Sequence, residues 1–137
     1  MAVVVDTSVV VALMRARDDH HERVRDWVRN LDDDLVTSPL AVAEMDRLAA
    51  GLGPDFSRGL WADLHSGAYA VRWWADAMLE TIAIARQHPE IGLTDASLVA
   101  LAGRLRTDRI ATLDHAHFRP LTTPDGEAFV LLPADAT

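Results

Sequence analysis

Short apolar runs that stop at an acidic residue alternate along this chain with longer segments of helical periodicity. The first run, Ala2-Val3-Val4-Val5, shows no apolar/polar alternation, which predicts a strand covered by helices on both faces. Asp6 ends it. A second apolar run, Val9 to Met14, begins too soon afterwards to be another strand of the sheet. Asp6-Thr7-Ser8 therefore reads as a tight strand-to-helix turn, with the Thr7 or Ser8 hydroxyl as the cap. A carboxylate is thereby set at the carboxyl end of the expected central strand, where open α/β sheets keep their ligand crevice.

A second helix is expected from a cap at Asp18 or Asp19 to about Asn30, with Val24, Trp27, Val28 and Leu31 on one face. Arg23, Arg25 and Arg29 read as its solvated side, and Asp32-Asp33-Asp34 as a turn, since consecutive exposed aspartates do not converge on an ion. Leu35-Val36-Thr37 is a short strand. Ser38-Pro39 then signals a helix start, a hydroxyl cap followed by proline at the first helical position. The helix it opens, Leu40 to Leu48, carries Glu44 inside an apolar segment. Gly51 to Pro54 is expected to break the chain, and Phe56 to His65 to be helical with Leu60, Trp61 and Leu64 inward. A strand over Ala68 to Val71 precedes a long helix from Trp73 or Trp74 to Gln87, with Trp74, Met78, Ile82 and Ala85 at helical spacing.

Gly92 releases the next segment, Thr94 is its cap candidate, and Asp95 begins a strongly apolar helix. Ile110-Ala111-Thr112-Leu113 then reads as a buried strand ending in Asp114, the same strand-then-aspartate order as the opening. Phe129 to Leu132 makes a last strand. Strands alternating with helices predict an α/β fold: a parallel β-sheet flanked by helices on both faces, three layers in a single domain spanning residues 1–137.

Composition narrows the chemistry. The formal charge of -8 and pI near 5.0 argue against a broad basic surface for nonspecific nucleic-acid binding. All 13 basic residues are arginine, so lysine-dependent catalysis is excluded. Cysteine is absent as well, which removes disulfides, thiolate metal sites and thiol nucleophiles. No apolar run approaches the roughly 20 residues that cross a bilayer, and the N-terminus lacks a basic lead. A cytoplasmic protein without membrane partners is expected.

With 21 acidic residues, counting acids decides nothing, but context does. Asp6 and Asp114 each terminate an apolar strand, Asp95 opens an apolar helix, and Glu44 sits within one. If the two strands are neighbours at the switch point, these carboxylates share one crevice, and their mutual repulsion calls for a divalent cation. Oxygen-only ligands suit Mg²⁺ or Mn²⁺, which orient water and neutralise charge during phosphodiester displacement.

The segments VVVDTS, PLAVAEM, LTDASLVALA and IATLDHAHF, in this order, resemble a PIN-domain ribonuclease of the VapC toxin type over essentially the whole chain. The resemblance implies Mg²⁺-dependent RNA cleavage leaving 5′-phosphate and 3′-hydroxyl ends, a homodimer, and inhibition by a cognate VapB-like antitoxin. It also implies that Asp6, Glu44, Asp95 and Asp114 form the catalytic acidic quartet, with Asp6 and Asp95 as metal ligands. Thr7, Ser8 or Thr112 would steady the carboxylates. One departure concerns the fourth segment, where His115-Ala116 replaces the basic residues common in the family. His115 is expected at the surface, and no histidine pair has a zinc-site context. Other readings are a catalytically silent interaction module, a DNA or structure-specific nuclease, and a phospho-aspartate enzyme, the last disfavoured by the missing lysine.

Overall fold

In the computed structural model, which describes residues 1–136, the opening run of valines becomes strand β1 (Ala2–Val5), with Val3, Val4 and Val5 wholly shielded from solvent. Its parallel neighbours are β2 (Asp34–Thr37) and β4 (Arg109–Ala111), and β3 (Ala70–Val71) and β5 (Val130–Leu132) complete the sheet. The order is β3-β2-β1-β4-β5, all parallel. The chain steps outward from β1 to β3 and then crosses back to β4, so the switch in winding direction lies between β1 and β4. Val5 is paired with Ala111 there, and the Asp6 amide donates to the Ala111 carbonyl at 2.9 Å.

The helices are α1 (Thr7–Met14), α2 (His21–Arg29), α3 (Pro39–Leu52), α4 (Pro54–Ser66), α5 (Ala77–Gln87), α6 (Leu93–Leu105) and α7 (His115–Phe118). They complete a three-layer α/β arrangement around the sheet. In α6 every residue from Ala96 to Ala102 is buried, which marks it as the most enclosed helix of the fold. No helix among the described residues is long and apolar enough to cross a membrane.

Local chemistry sets the boundaries. α1 is capped by Asp6, whose carboxylate accepts the Thr7 amide at 2.8 Å, in place of the expected Thr7 or Ser8 cap. The cap must be extended, and Asp6, still carrying strand-like φ −86 and ψ 155, meets that condition. Both hydroxyls are thereby left for other work. Ser38 caps α3 as expected, accepting the Ala41 amide at 3.2 Å, with Pro39 behind it. That helix continues through Gly51 to Leu52, beyond the expected break. The interruption falls at Gly53, whose φ of 135 suits glycine alone.

Other expectations are corrected. Trp61 does not face inward: it is 56% exposed, and its indole N–H donates to Asp46. α5 starts at Ala77, after both tryptophans, and buries Ala77 and Thr81 while Met78 lies 39% exposed. Of the positions expected on one stripe, Trp74 and Ala85 pack partly buried against the core, and Met78 does not. Trp74 also lies under the Arg104 guanidinium, 5.6 Å from its ring centre. α2 starts at His21 with no side-chain cap, since Asp18 accepts the His20 amide one turn earlier. Thr94 lies inside α6, whose cap position is Gly92. The strand expected over Ile110 to Leu113 ends at Ala111, and Asp114 caps the unexpected short helix α7.

Candidate active site

Asp6, Glu44, Asp95 and Asp114 come from four distant stretches and line one cleft of about 440 Å³. It opens at the carboxyl ends of β1 and β4, on the switch point. The same cleft is lined by Thr7, Ser8, Asp18, Leu113 and His117, and by no arginine. A hollow of about 570 Å³ elsewhere is larger, but its two carboxylates are Asp26 and Asp135, and Asp135 is tied to Arg119 at 2.7 Å.

Each acid is placed by its local structure. Asp6 is only 4% exposed, because β1 is central and α1 begins at once. Its Oδ2 accepts the Ser8 hydroxyl at 2.9 Å and the Thr112 hydroxyl at 2.8 Å. Ser8 Oγ in turn accepts the Leu113 amide at 3.0 Å, and Thr112 Oγ1 accepts the Asp114 amide at 2.9 Å. With backbone donors on their oxygens, both hydroxyls direct their hydrogens at Asp6. Glu44 is half-buried on α3, nearly two turns beyond the Ser38 cap. Asp95 lies in the first turn of α6, its side chain 18% exposed. Asp114 caps α7 through Oδ1, which accepts the His117 amide at 3.2 Å.

Crowding shows in the acidities. Burial pushes the Asp6 carboxyl up to about 6, against the Thr112 and Ser8 hydrogen bonds, and the Asp95 charge pushes it further. Burial also raises Asp95, opposed by its bond to His117 and reinforced by the charges of Asp114 and Glu44. His117 is held above the ordinary imidazole value, chiefly by its hydrogen bond to Asp95. Its Nδ1 lies 2.8 Å from Asp95 Oδ2 and 2.9 Å from Asp114 Oδ2. Ligand-capable atoms of Asp95, Asp114 and His117 lie within 4.8 Å of one another, an arrangement compatible with a divalent metal.

Two polar residues of the cleft are not assigned to it by the sequence. Asp18 enters from the α1–α2 connection. His117 had a usable signal: Asp114-His115-Ala116-His117 has the cap-to-third-residue spacing that returns a side chain over the capping group. His115, expected at the surface, is half-buried, and its Nε2 is enclosed without a hydrogen-bond partner.

An acid-lined cleft at the switch point of a parallel sheet defines a class, and sequence comparison places the chain in it. Residues 3–120 match the PIN domain, and the chain belongs to the PIN-domain family. Among named relatives it is similar to Ribonuclease VapC26 of Mycobacterium tuberculosis, at 35% identity over 95% of this chain and 99% of that protein. The fold resembles that of VapC20 of M. tuberculosis, described as a Sarcin-Ricin loop cleaving toxin. There the TM-score is 0.72 at 21% identity, covering 79% of this chain and 86% of that one. It likewise resembles VapBC-1 from nontypeable Haemophilus influenzae, with a TM-score of 0.63 at 22% identity, covering 86% and 90% of the two chains.

Proposed function

We propose that the chain is a single PIN-like domain acting in the cytoplasm as a metal-dependent endoribonuclease, the toxin of a VapBC-type pair. The observation that carries this reading is the gathering of Asp6, Glu44, Asp95 and Asp114 along one cleft that no arginine lines. Asp6 and Asp95 would hold the ion, with Glu44 and Asp114 beside them. The donor set is oxygen-rich, and burial and mutual charge already press Asp6 and Asp95 toward protonation, so a dication fits the site. Bound there, Mg²⁺ or Mn²⁺ would supply acidified water and neutralise charge building on a phosphodiester.

The protein's own part is positioning. Ser8 and Thr112 fix one oxygen of Asp6. Asp6, Asp95 and Asp114 stand at helix starts and Glu44 within α3, on elements whose packing holds them more firmly than a loop could. With a formal charge of -8 the surface gives little general attraction for RNA, so recognition falls to the groove around the site.

RNA as substrate is supported by the ribonuclease names of the relatives, and a VapB-like antitoxin by the VapBC complex among the structural neighbours. Exposed Trp61, Met78, Leu79 and Leu93 supply apolar area for that partner or for a homodimer. Purified protein is expected to cut mixed RNA with Mg²⁺ or Mn²⁺, to stop when the ion is chelated, and to be inactive as Asp6→Asn. Undiminished cleavage by Asp6→Asn, preference for the matched DNA strand, or partner binding with no cleavage overturns the reading.

A further inference from the structure

The imidazole of His117 lies outside the acidic quartet and brings the only nitrogen side chain among the described residues of the cleft. Resting on the metal-dependent reading above, we infer that His117 is itself a metal ligand. Its Nδ1, with one oxygen each from Asp95 and Asp114, forms a mixed nitrogen and oxygen face for a transition-metal dication such as Mn²⁺.

The distances carry this. In an octahedral site with bonds of about 2.1 Å, adjacent ligand atoms stand about 3.0 Å apart. His117 Nδ1 is 2.8 Å from Asp95 Oδ2 and 2.9 Å from Asp114 Oδ2. One ring N–H has a single hydrogen, and two carboxylate oxygens compete for it. An ion in place of that hydrogen serves all three atoms at once.

The ring is also held from below. Asp114 is divided between two tasks, with Oδ1 capping α7 at the His117 amide and Oδ2 facing the ring. Phe118, the next residue, is fully buried and anchors the short helix. The imidazole remains 44% exposed, which leaves an ion there open to water or phosphate. A nitrogen donor strengthens binding of transition ions and adds little for Mg²⁺. None of the other five histidines lines this cleft.

The test is pulsed electron paramagnetic resonance on protein loaded with one equivalent of Mn²⁺, with and without ¹⁵N-histidine. The expected result is one histidine-nitrogen coupling that persists in His115→Gln and disappears in His117→Gln. Calorimetric Mn²⁺ affinity should fall at least about tenfold in His117→Gln, the scale seen when even outer partners of a metal are removed. Mg²⁺ affinity should change much less. Mn²⁺ bound without nitrogen coupling, or a coupling that survives in His117→Gln, overturns the inference and leaves the metal-dependent reading standing. No Mn²⁺ binding by the unmutated protein overturns both.

Discussion

Thr112 steadies Asp6 across the junction of β1 and β4, donating its hydroxyl to Asp6 Oδ2 at 2.8 Å while accepting the Asp114 amide at 2.9 Å. One side chain thereby ties the Asp6 carboxylate to the backbone of Asp114, far away in sequence. Thr112→Val keeps the shape and removes the hydroxyl, leaving a buried carboxylate short of a donor and an amide without its acceptor. Stability is expected to fall by about 1–3 kcal/mol, and Mn²⁺ affinity by about 10–100-fold. Thr112→Ser should recover most of the affinity. Denaturant titration and calorimetry read the two effects, and unchanged affinity in the valine variant would remove Thr112 from the site.

Proton linkage gives a second prediction, whose sign is opposite to that of an ordinary ion-paired aspartate. Folding raises Asp6 from 3.8 to about 6, so the folded chain holds this proton more tightly than the unfolded one. The contribution is complete below 3.8 and is lost as pH rises through about 6. Above that range the metal-free protein carries a cost on the order of 3 kcal/mol. With metal chelated, the unfolding midpoint of the native protein should therefore drop relative to Asp6→Asn as pH climbs from about 4 to 7. His117, also raised, loses its stabilising charge in the same direction. Parallel thermal melts of the two proteins at several pH values check this, and a constant gap between them would contradict it.

Ser38 and Ser97, both fully buried, join α3 to α6 through hydroxyls 2.7 Å apart. Ser97 also reaches the Thr94 carbonyl at 2.6 Å, so every polar atom of the pair is occupied. These are the helices that carry Glu44 and Asp95. Ser97→Ala strands the Ser38 hydroxyl in the core, and a loss of about 1–3 kcal/mol is expected. It should appear as a lower urea midpoint with an unchanged slope.

That Asp6, Glu44, Asp95 and Asp114 share one cleft is legible because each sits beside an apolar run or a cap signal, and β1 is legible because three consecutive valines have few alternatives to a buried strand. His117 was harder to read, since its position depends on a one-turn helix too short to show a period. Trp61 and Met78 show a different limit. Helical spacing reveals that a stripe exists, but which stripe meets a neighbour is settled by packing, of α4 on α3 for Trp61 and of α5 on α6 for Met78. Gly51 and Gly53 separate for a third reason: glycine at Gly51 is tolerated within α3, whereas Gly53 takes a φ of 135 that other residues resist.

Metal binding should be visible as folding stability, independently of any substrate. An ion that binds only the folded state adds about 2.7 kcal/mol at one hundred times its dissociation constant. Mn²⁺ should therefore raise the thermal midpoint of the native protein by several degrees and release protons, because Asp6 and Asp95 both hold protons more tightly than ordinary carboxylates. Asp95→Asn removes a proposed ligand while keeping a similar shape at the start of α6, and its midpoint should barely respond to Mn²⁺. An equal response in this variant would mean that the ion is held elsewhere, and that Asp95 serves the helix N-terminus alone.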